Sequence, residues 1–179
     1  MKVNIVGGSY QMDALSFGLQ RSINLFPIAS EVPNTKEPSA IRSTAGLNVF
    51  ANAGNGGARG AITIPDVNRA FVVIANELYE VFTDGTTTLR GSLLTGNGQI
   101  GIAQNGTQIC IVDGTYGYIY TLATDTFVQI TDPDFPACDT VVFQDTYFIV
   151  PKKNSAAFYI SANGDGTSWN ALDFASCGE

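Results

Sequence analysis

From Gly60 onward the chain is a succession of short β-like runs that return with a period near 40 residues. No other feature constrains the fold as strongly. Ala61–Ile64 ends at Pro65-Asp66, Ala70–Ile74 at Ala75-Asn76-Glu77, and Leu78–Phe82 at Thr83-Asp84-Gly85; Thr86–Leu89 follows before Gly91. Branched and aromatic residues fill the runs because they pack well on a pleated surface. Asn, Asp and Gly sit between them because tight turns need residues that tolerate unusual backbone angles. Laying Phe71-Val72-Val73 over Ile109-Cys110-Ile111 and then Phe148-Ile149-Val150 gives offsets of 38 and 39. Laying Tyr79 over Tyr118 and Phe158 gives 39 and 40. The closing run of each unit falls near Thr87–Leu89, Thr126–Ile130 and Trp169–Phe174.

Four strands in roughly 40 residues, repeated, is the pattern of β-propeller blades. The expected fold is therefore all-β and β-propeller-like. It has about three four-stranded blades, near residues 60–98, 99–137 and 138–179, preceded by an extended N-terminal arm, residues 1–59. A β-sandwich with strands at similar intervals is the alternative. Closed propellers usually need at least four blades. An uncovered blade face of several hundred Å2, at about 25 cal/mol per Å2, is worth on the order of 10 kcal/mol. The expectation is thus an incomplete propeller, either part of a longer one or covered by partner chains. The strand-like ending, Asn170 to Glu179, fits that expectation.

The arm reads differently. Pro27, Pro33 and Pro38 punctuate it, and Gly54-Asn55-Gly56-Gly57 ends it with a flexible joint. A short helix is conceivable at Asp13–Leu19, where Met12, Leu15 and Leu19 share a helical face. Such an arm cannot bury itself and has to pack on its own domain or on a neighbouring subunit.

Composition narrows the function classes. With 45% hydrophobic and 14% charged residues and 19 glycines, the chain is neither disordered nor a helical bundle. It contains no histidine, which removes Ser-His and Cys-His catalysis and the commonest zinc ligand. Cys110, Cys138 and Cys177 form no metal-binding spacing, and their odd number fits no closed disulfide framework; a reducing place of synthesis is expected. Cys110, within Ile109-Cys110-Ile111-Val112, reads as a small buried hydrophobe. No run approaches the roughly 20 apolar residues of a membrane helix, and the apolar patch at Val3–Val6 is too short for a signal peptide. Residues 1–59 carry five Lys+Arg against three acids; residues 60–179 carry four against thirteen. The second part should repel nucleic acid, since binding depends on clustered cations that release counterions.

Local motifs read mainly as turn chemistry. Ser161–Trp169, with Asp165-Gly166 upstream of Trp169, resembles the Asp-box hairpin of sialidase-type propellers. There Asp and Gly make a turn and Trp packs beneath it. The carboxylate pairs Asp132/Asp134 and Asp139/Asp145 are weak candidates for acid–base work, and the first brackets a proline turn. Calcium is not favoured either, because no bidentate acid follows Asp132-Pro133-Asp134 or Asn163-Gly164-Asp165-Gly166. Gly7-Gly8-Ser9 and Gly54–Gly57 lack the lysine of a phosphate-binding loop. Tyr116, Tyr118 and Tyr120 share one strand face. They are either a glycan- or receptor-binding row or, as favoured, part of the core.

The least generic piece is Gln20-Arg21-Ser22-Ile23-Asn24-Leu25-Phe26-Pro27, followed by Lys36-Glu37-Pro38 and Ser43-Thr44-Ala45-Gly46-Leu47. The order and spacing of these words, together with Asp165–Ala175, resemble the packaged-DNA stabilisation and tail-hub (nozzle) family of short-tailed bacteriophages. Phe26 stands where that family usually has Tyr, and Ala45 where it has Pro. Family members are generally longer. The resemblance implies a non-enzymatic virion protein made in the host cytoplasm and located in the tail below the portal and adaptor. It implies a homo-oligomeric ring around the DNA channel that helps to retain the packaged genome, with no cofactor, no metal, no membrane and no sequence-specific DNA contact. An acidic lumen suits sliding DNA. Arg21, Asn24, Leu25, Phe26 and Pro27 are the candidate interface residues, with the Asn24 side chain as a backbone cap. A glycan- or receptor-binding propeller is the alternative function.

Overall fold

The computed structural model describes residues 10–11, 19–20, 23–29 and 39–178. The chain divides into two units, Met1–Val49 and Phe50–Glu179. The first contains two short antiparallel ladders among its described residues. Strand β1 (Tyr10–Gln11) pairs β2 (Leu19–Gln20), and β3 (Leu25–Ala29) pairs β4 (Ser39–Ser43). The helix conceivable at Asp13–Leu19 lies outside the described residues except for Leu19, which is in β2.

The second unit is three four-stranded antiparallel meanders. The first sheet holds β5 (Ala58–Ile64), β6 (Arg69–Ile74), β7 (Glu77–Val81) and β8 (Thr87–Ser92). The second holds β9 (Gly101–Gln104), β10 (Gln108–Val112), β11 (Gly117–Thr121) and β12 (Thr126–Gln129). The third holds β13 (Val142–Gln144), β14 (Tyr147–Pro151), β15 (Ala157–Ala162) and β16 (Asp165–Ser176). Strands follow chain order within each sheet, and the opening strands adjoin, β5 beside β9 and β9 beside β13. The result is the expected blade architecture, a fan rather than a sandwich, and the fan is open.

Turn residues explain why each meander reverses where it does. Asp84-Gly85-Thr86, Asn105-Gly106-Thr107 and Asp165-Gly166-Thr167 make the same local cap. In each, the Asp or Asn side-chain oxygen accepts both the amide and the hydroxyl of the Thr two residues on, at 2.7–3.0 Å. Between β13 and β14, Asp145 and Thr146 both take positive φ, 49° and 74°, as a two-residue hairpin requires.

Two apolar layers hold the fan together. Each sheet has a front, facing the following sheet, and a back, facing the preceding one. The first layer joins Ile64, Phe71, Val73 and Leu78 on the front of sheet 1 to Ile109, Ile111, Tyr118 and Tyr120 on the back of sheet 2. The second joins Ala103, Cys110, Val112 and Ile119 on the front of sheet 2 to Phe148, Val150 and Trp169 on the back of sheet 3. Ile109 to Val112 is therefore buried throughout, because successive side chains enter opposite cores. Gly101 sets the approach of sheet 3: a Cβ there would lie 2.8 Å from the Thr140 Cα and 3.0 Å from the Val141 backbone nitrogen.

The ladders correct the repeat register. Phe71 pairs with Glu80, Cys110 with Ile119, and Ile149 with Ile160. Equivalent residues are thus Phe71, Cys110 and Ile149, not Phe71, Ile109 and Phe148, and the true offset is 39 at both steps. In the third strands the equivalents are Tyr79, Tyr118 and Tyr159, paired with Val72, Ile111 and Val150. Phe158 is one residue out. A shift of one residue moves a side chain to the other face, so the correction decides which residues make which core.

Candidate functional site

The candidate interface residues lie on the β3–β4 ladder. Leu25 pairs with Ser43, Phe26 with Arg42, and Pro27 with Ile41. Pro27 is tolerated because a two-stranded ladder consists of edges, where a missing amide costs no ladder bond. Asn24 precedes β3 and extends the ladder by one residue through its backbone carbonyl oxygen. That oxygen accepts the Thr44 amide at 3.0 Å and the Thr44 hydroxyl at 3.4 Å. Asn24 takes φ 55°, a left-handed conformation that Asn adopts more readily than most residues. Consecutive strand residues point to opposite faces, and Leu25, Phe26 and Ile28 are 45%, 41% and 40% exposed. The ladder therefore shows apolar side chains on both faces. Arg21 lies outside the described residues.

The other motifs resolve into structure. Asp132 accepts the Asp134 amide at 3.0 Å and the Trp169 amide at 2.9 Å, which ties the loop before sheet 3 to its last strand. Asp139 pairs with Lys153 at the surface, 2.9 Å away. Trp169 is buried, donates its indole N–H to the Gly166 carbonyl at 2.8 Å and meets Phe135 edge-on. Gln108 reaches the same turn from sheet 2, donating to Asp165 at 3.2 Å and accepting the Gly166 amide at 2.9 Å. The Asp-box-like hairpin is thus an inter-sheet clasp. Tyr118 and Tyr120 are buried in the first core, leaving only Tyr116 of that row partly exposed. Among the described residues no group of three or more His, Cys, Asp or Glu is placed to hold a metal ion.

Two polar clusters were not read from the sequence. Arg59 bridges sheet 1 and the crossover to sheet 2. Its Nε donates to Gly98 O at 2.7 Å, Nη1 to Ala75 O at 2.9 Å and Thr95 O at 2.6 Å, and Nη2 to Thr95 Oγ1 at 3.0 Å and Asn97 O at 2.8 Å. Those bonds engage all five guanidinium hydrogens, so Arg59 has none left for an anion. Thr95 passes the link on to Asp113 at 2.7 Å.

The second cluster centres on Glu80, which is 2% exposed at a front position that holds Ile in the other two sheets. Arg69 grips Glu80 in a fork at 2.6 and 2.8 Å and reaches across to Asp125 at 2.7 Å and the Tyr120 hydroxyl at 2.9 Å. Arg90 adds a bond to Glu80 at 2.7 Å and to Asp125 at 3.3 Å. Burial works to raise the Glu80 carboxyl, but hydrogen bonds from Arg69 and Arg90 outweigh it and hold the group below its ordinary range. Hydrogen bonds from Tyr120 and Arg69 likewise lower Asp125. Burial, with the bond to Asp125, pushes Tyr120 up to about 12. The cluster is a neutralised lock between sheets 1 and 2. Its groups are committed to one another, so it is not poised for catalysis.

Comparison with known proteins bears on the whole chain. A family model described as "Bacteriophage P22 Gp10, beta-propeller" matches residues 1–179. No curated protein matches. Among solved structures, a chain from a crystal structure of a nidogen/laminin complex is similar at 14% identity and a TM-score of 0.48, over 70% of this chain. The present chain covers 48% of that one, about half its length.

Proposed function

Because the chain belongs to the bacteriophage P22 Gp10 β-propeller family, we propose that this phage structural protein is a subunit of the tail hub or nozzle beneath the portal and adaptor. In this reading it acts in the virion by assembly and not by catalysis. Subunits form a ring around the DNA channel and help to retain the packaged genome. The observation that carries the reading is the family match over the full 179 residues.

Physical features agree with it. Residues 60–179, with thirteen acids against four Lys+Arg, suit a channel wall along which DNA slides without being gripped. Residues 1–59 are proposed to act as an assembly arm and residues 60–179 as the blades. An isolated two-stranded ladder is only marginally stable in water, and the β3–β4 ladder exposes Leu25, Phe26, Ile28 and Ile41. Leu25, Phe26 and Pro27 are the proposed anchors on a neighbouring subunit or on the adaptor, with Arg21 and Asn24 flanking them.

The test is reconstitution with the portal–adaptor complex of the cognate phage, followed by sedimentation and electron microscopy. Wild type should co-sediment and add density below the adaptor; Leu25→Asp with Phe26→Asp should abolish this while leaving the circular dichroism of the chain unchanged. Failure of the wild type to bind would overturn the hub reading. Full binding by the double variant would overturn the role of the arm.

A further inference from the structure

Four Asn-Gly words occur in the chain, at residues 55–56, 97–98, 105–106 and 163–164. Asparagine is thermolabile, and before glycine it is most so. The glycine amide nitrogen can attack the asparagine's own side-chain carbonyl, and glycine has no Cβ to obstruct the approach. Closing that ring requires the peptide plane after the asparagine to turn. A fold that holds the plane, the glycine amide or the side-chain amide therefore blocks the reaction.

Three of the words are held. Asn105 Oδ1 accepts the amides of Thr107 and Gln108 and the Thr107 hydroxyl, and its Nδ2 donates to Gly164 O at 3.0 Å. The Gly106 amide donates to Gln104 Oε1 at 2.5 Å. The Gly164 amide, the nucleophile for Asn163, donates to Thr146 O at 2.8 Å, while Asn105 holds the Gly164 oxygen. Asn97 is exposed, but Arg59 clamps the chain on both sides of the Gly98 Cα, through Asn97 O at 2.8 Å and Gly98 O at 2.7 Å. Asn55 is different. It is exposed, with Gly54 before it and Gly56-Gly57 after it. Anchors lie only at the ends of this stretch: Gly54 sits against Tyr79, and Gly57 O accepts the Ala75 amide at 3.0 Å. Between them Gly56 takes φ 139°, open to glycine alone, and its amide has no backbone partner among the described residues.

We propose that Asn55 is a site of spontaneous deamidation and isoaspartate formation, and that the fold protects the other three asparagines. The Gly56 nitrogen bonds to the Asn55 Cγ, the Cγ–Nδ2 bond breaks, and the side-chain nitrogen leaves as ammonia with the proton given up by the Gly56 amide. Water then opens the succinimide at either carbonyl, leaving aspartate or isoaspartate. Either product adds a negative charge, and isoaspartate also adds a carbon to the main chain between the two anchors. The change falls beside segment 50–54, which lies on sheet 1 with the Asn52 carbonyl accepting the Thr87 hydroxyl at 3.1 Å. The inference is independent of the tail assignment.

The test ages the full chain in warm, mildly alkaline buffer and maps timed digests by mass spectrometry, with electron-transfer fragmentation to tell aspartate from isoaspartate. Asn55 should convert first, roughly tenfold faster than Asn97, whose peptide plane turns only when two exposed hydrogen bonds open. Asn105 and Asn163 should keep their amides, and in denaturant all four should convert together. Arg59→Ala should bring Asn97 to the Asn55 rate, with Asn105 and Asn163, still protected, reporting that the variant is folded. An Asn55 that keeps its amide throughout overturns the proposal, as do native rates that match the denatured ones at every site. An Asn97 that stays slow in folded Arg59→Ala overturns the clamp.

Discussion

Arg59 offers the sharpest test of how the first two sheets are joined. Its five hydrogen bonds span Ala75 in the turn after β6 and Thr95, Asn97 and Gly98 in the crossover to sheet 2. Three of the five, to Ala75 O, Thr95 O and Thr95 Oγ1, are partly buried; the bonds to Gly98 O and Asn97 O are exposed. In Arg59→Ala the exposed carbonyls regain water, so their loss is nearly compensated. The three partly buried acceptors are left poorly solvated, at about 1 kcal/mol each, for a total of about 3 kcal/mol. Lysine keeps the charge but cannot reproduce the planar fork, and should recover about 1 kcal/mol of that. The assay is equilibrium urea unfolding. With a slope of about 2 kcal/mol per molar, the midpoint should fall by about 1.5 M for Ala and about 1 M for Lys, the slope itself unchanged. A fall below about 0.3 M for Ala, or a Lys variant equal to wild type, would refute the claim that a guanidinium fork staples the crossover.

The remaining predictions concern the lock, the sheet spacing and the thiols. Glu80→Gln removes the buried anion that Arg69 and Arg90 share, leaving them the more exposed Asp125, and should cost about 3 kcal/mol at neutral pH. Wild-type stability should also depend on pH in two windows. Glu80 and Asp125 are held below their ordinary carboxylate range, so their contribution is complete above the unfolded values and lost as pH falls through the folded ones. Tyr120 is raised to about 12, so a further contribution is lost as pH rises from the ordinary tyrosine value towards that figure. A pH-independent melting temperature on the acid side would contradict the lock. Gly101→Ala drives a methyl group into the Thr140–Val141 backbone and should lower stability by about 2 kcal/mol in thermal melts, whereas a stabilised variant would disprove the close approach. In a thiol titration Cys177, exposed, should react at once. Cys110 and Cys138 should react only in denaturant, because burial raises Cys110 and pushes Cys138 up to about 12.

What could be read from the sequence was whatever depends on local chemistry. Turn residues at intervals near 40 fix where the chain reverses, and hence three meanders of four strands. The run Ile109-Cys110-Ile111-Val112 marks a strand buried on both faces, and Asp165-Gly166 with Trp169 marks a structural hairpin. A further word was available: Asp-Gly-Thr or Asn-Gly-Thr at residues 84–86, 105–107, 113–115 and 165–167. Three of these share one cap geometry, and in the fourth the Asp113 carboxylate accepts the Thr115 amide at 3.0 Å.

The face of each strand was not legible in the same way. A run apolar at every position carries no alternation, so a one-residue slip such as Phe71 onto Ile109 costs nothing in the sequence comparison. It is forbidden only by the ladder and by the two cores on either side. The polar links were equally hidden. Arg59 meets Gly98, and Arg69 meets Asp125, across 39 and 56 residues, and no local pattern around either arginine marks its partner. Such pairs exist only once β5, β9 and β13 gather along one side of the fan. The sequence by itself determined where the chain turns and how many blades it can make. The tertiary structure alone decided which face each side chain serves and which charges meet, because both follow from the stacking of whole sheets.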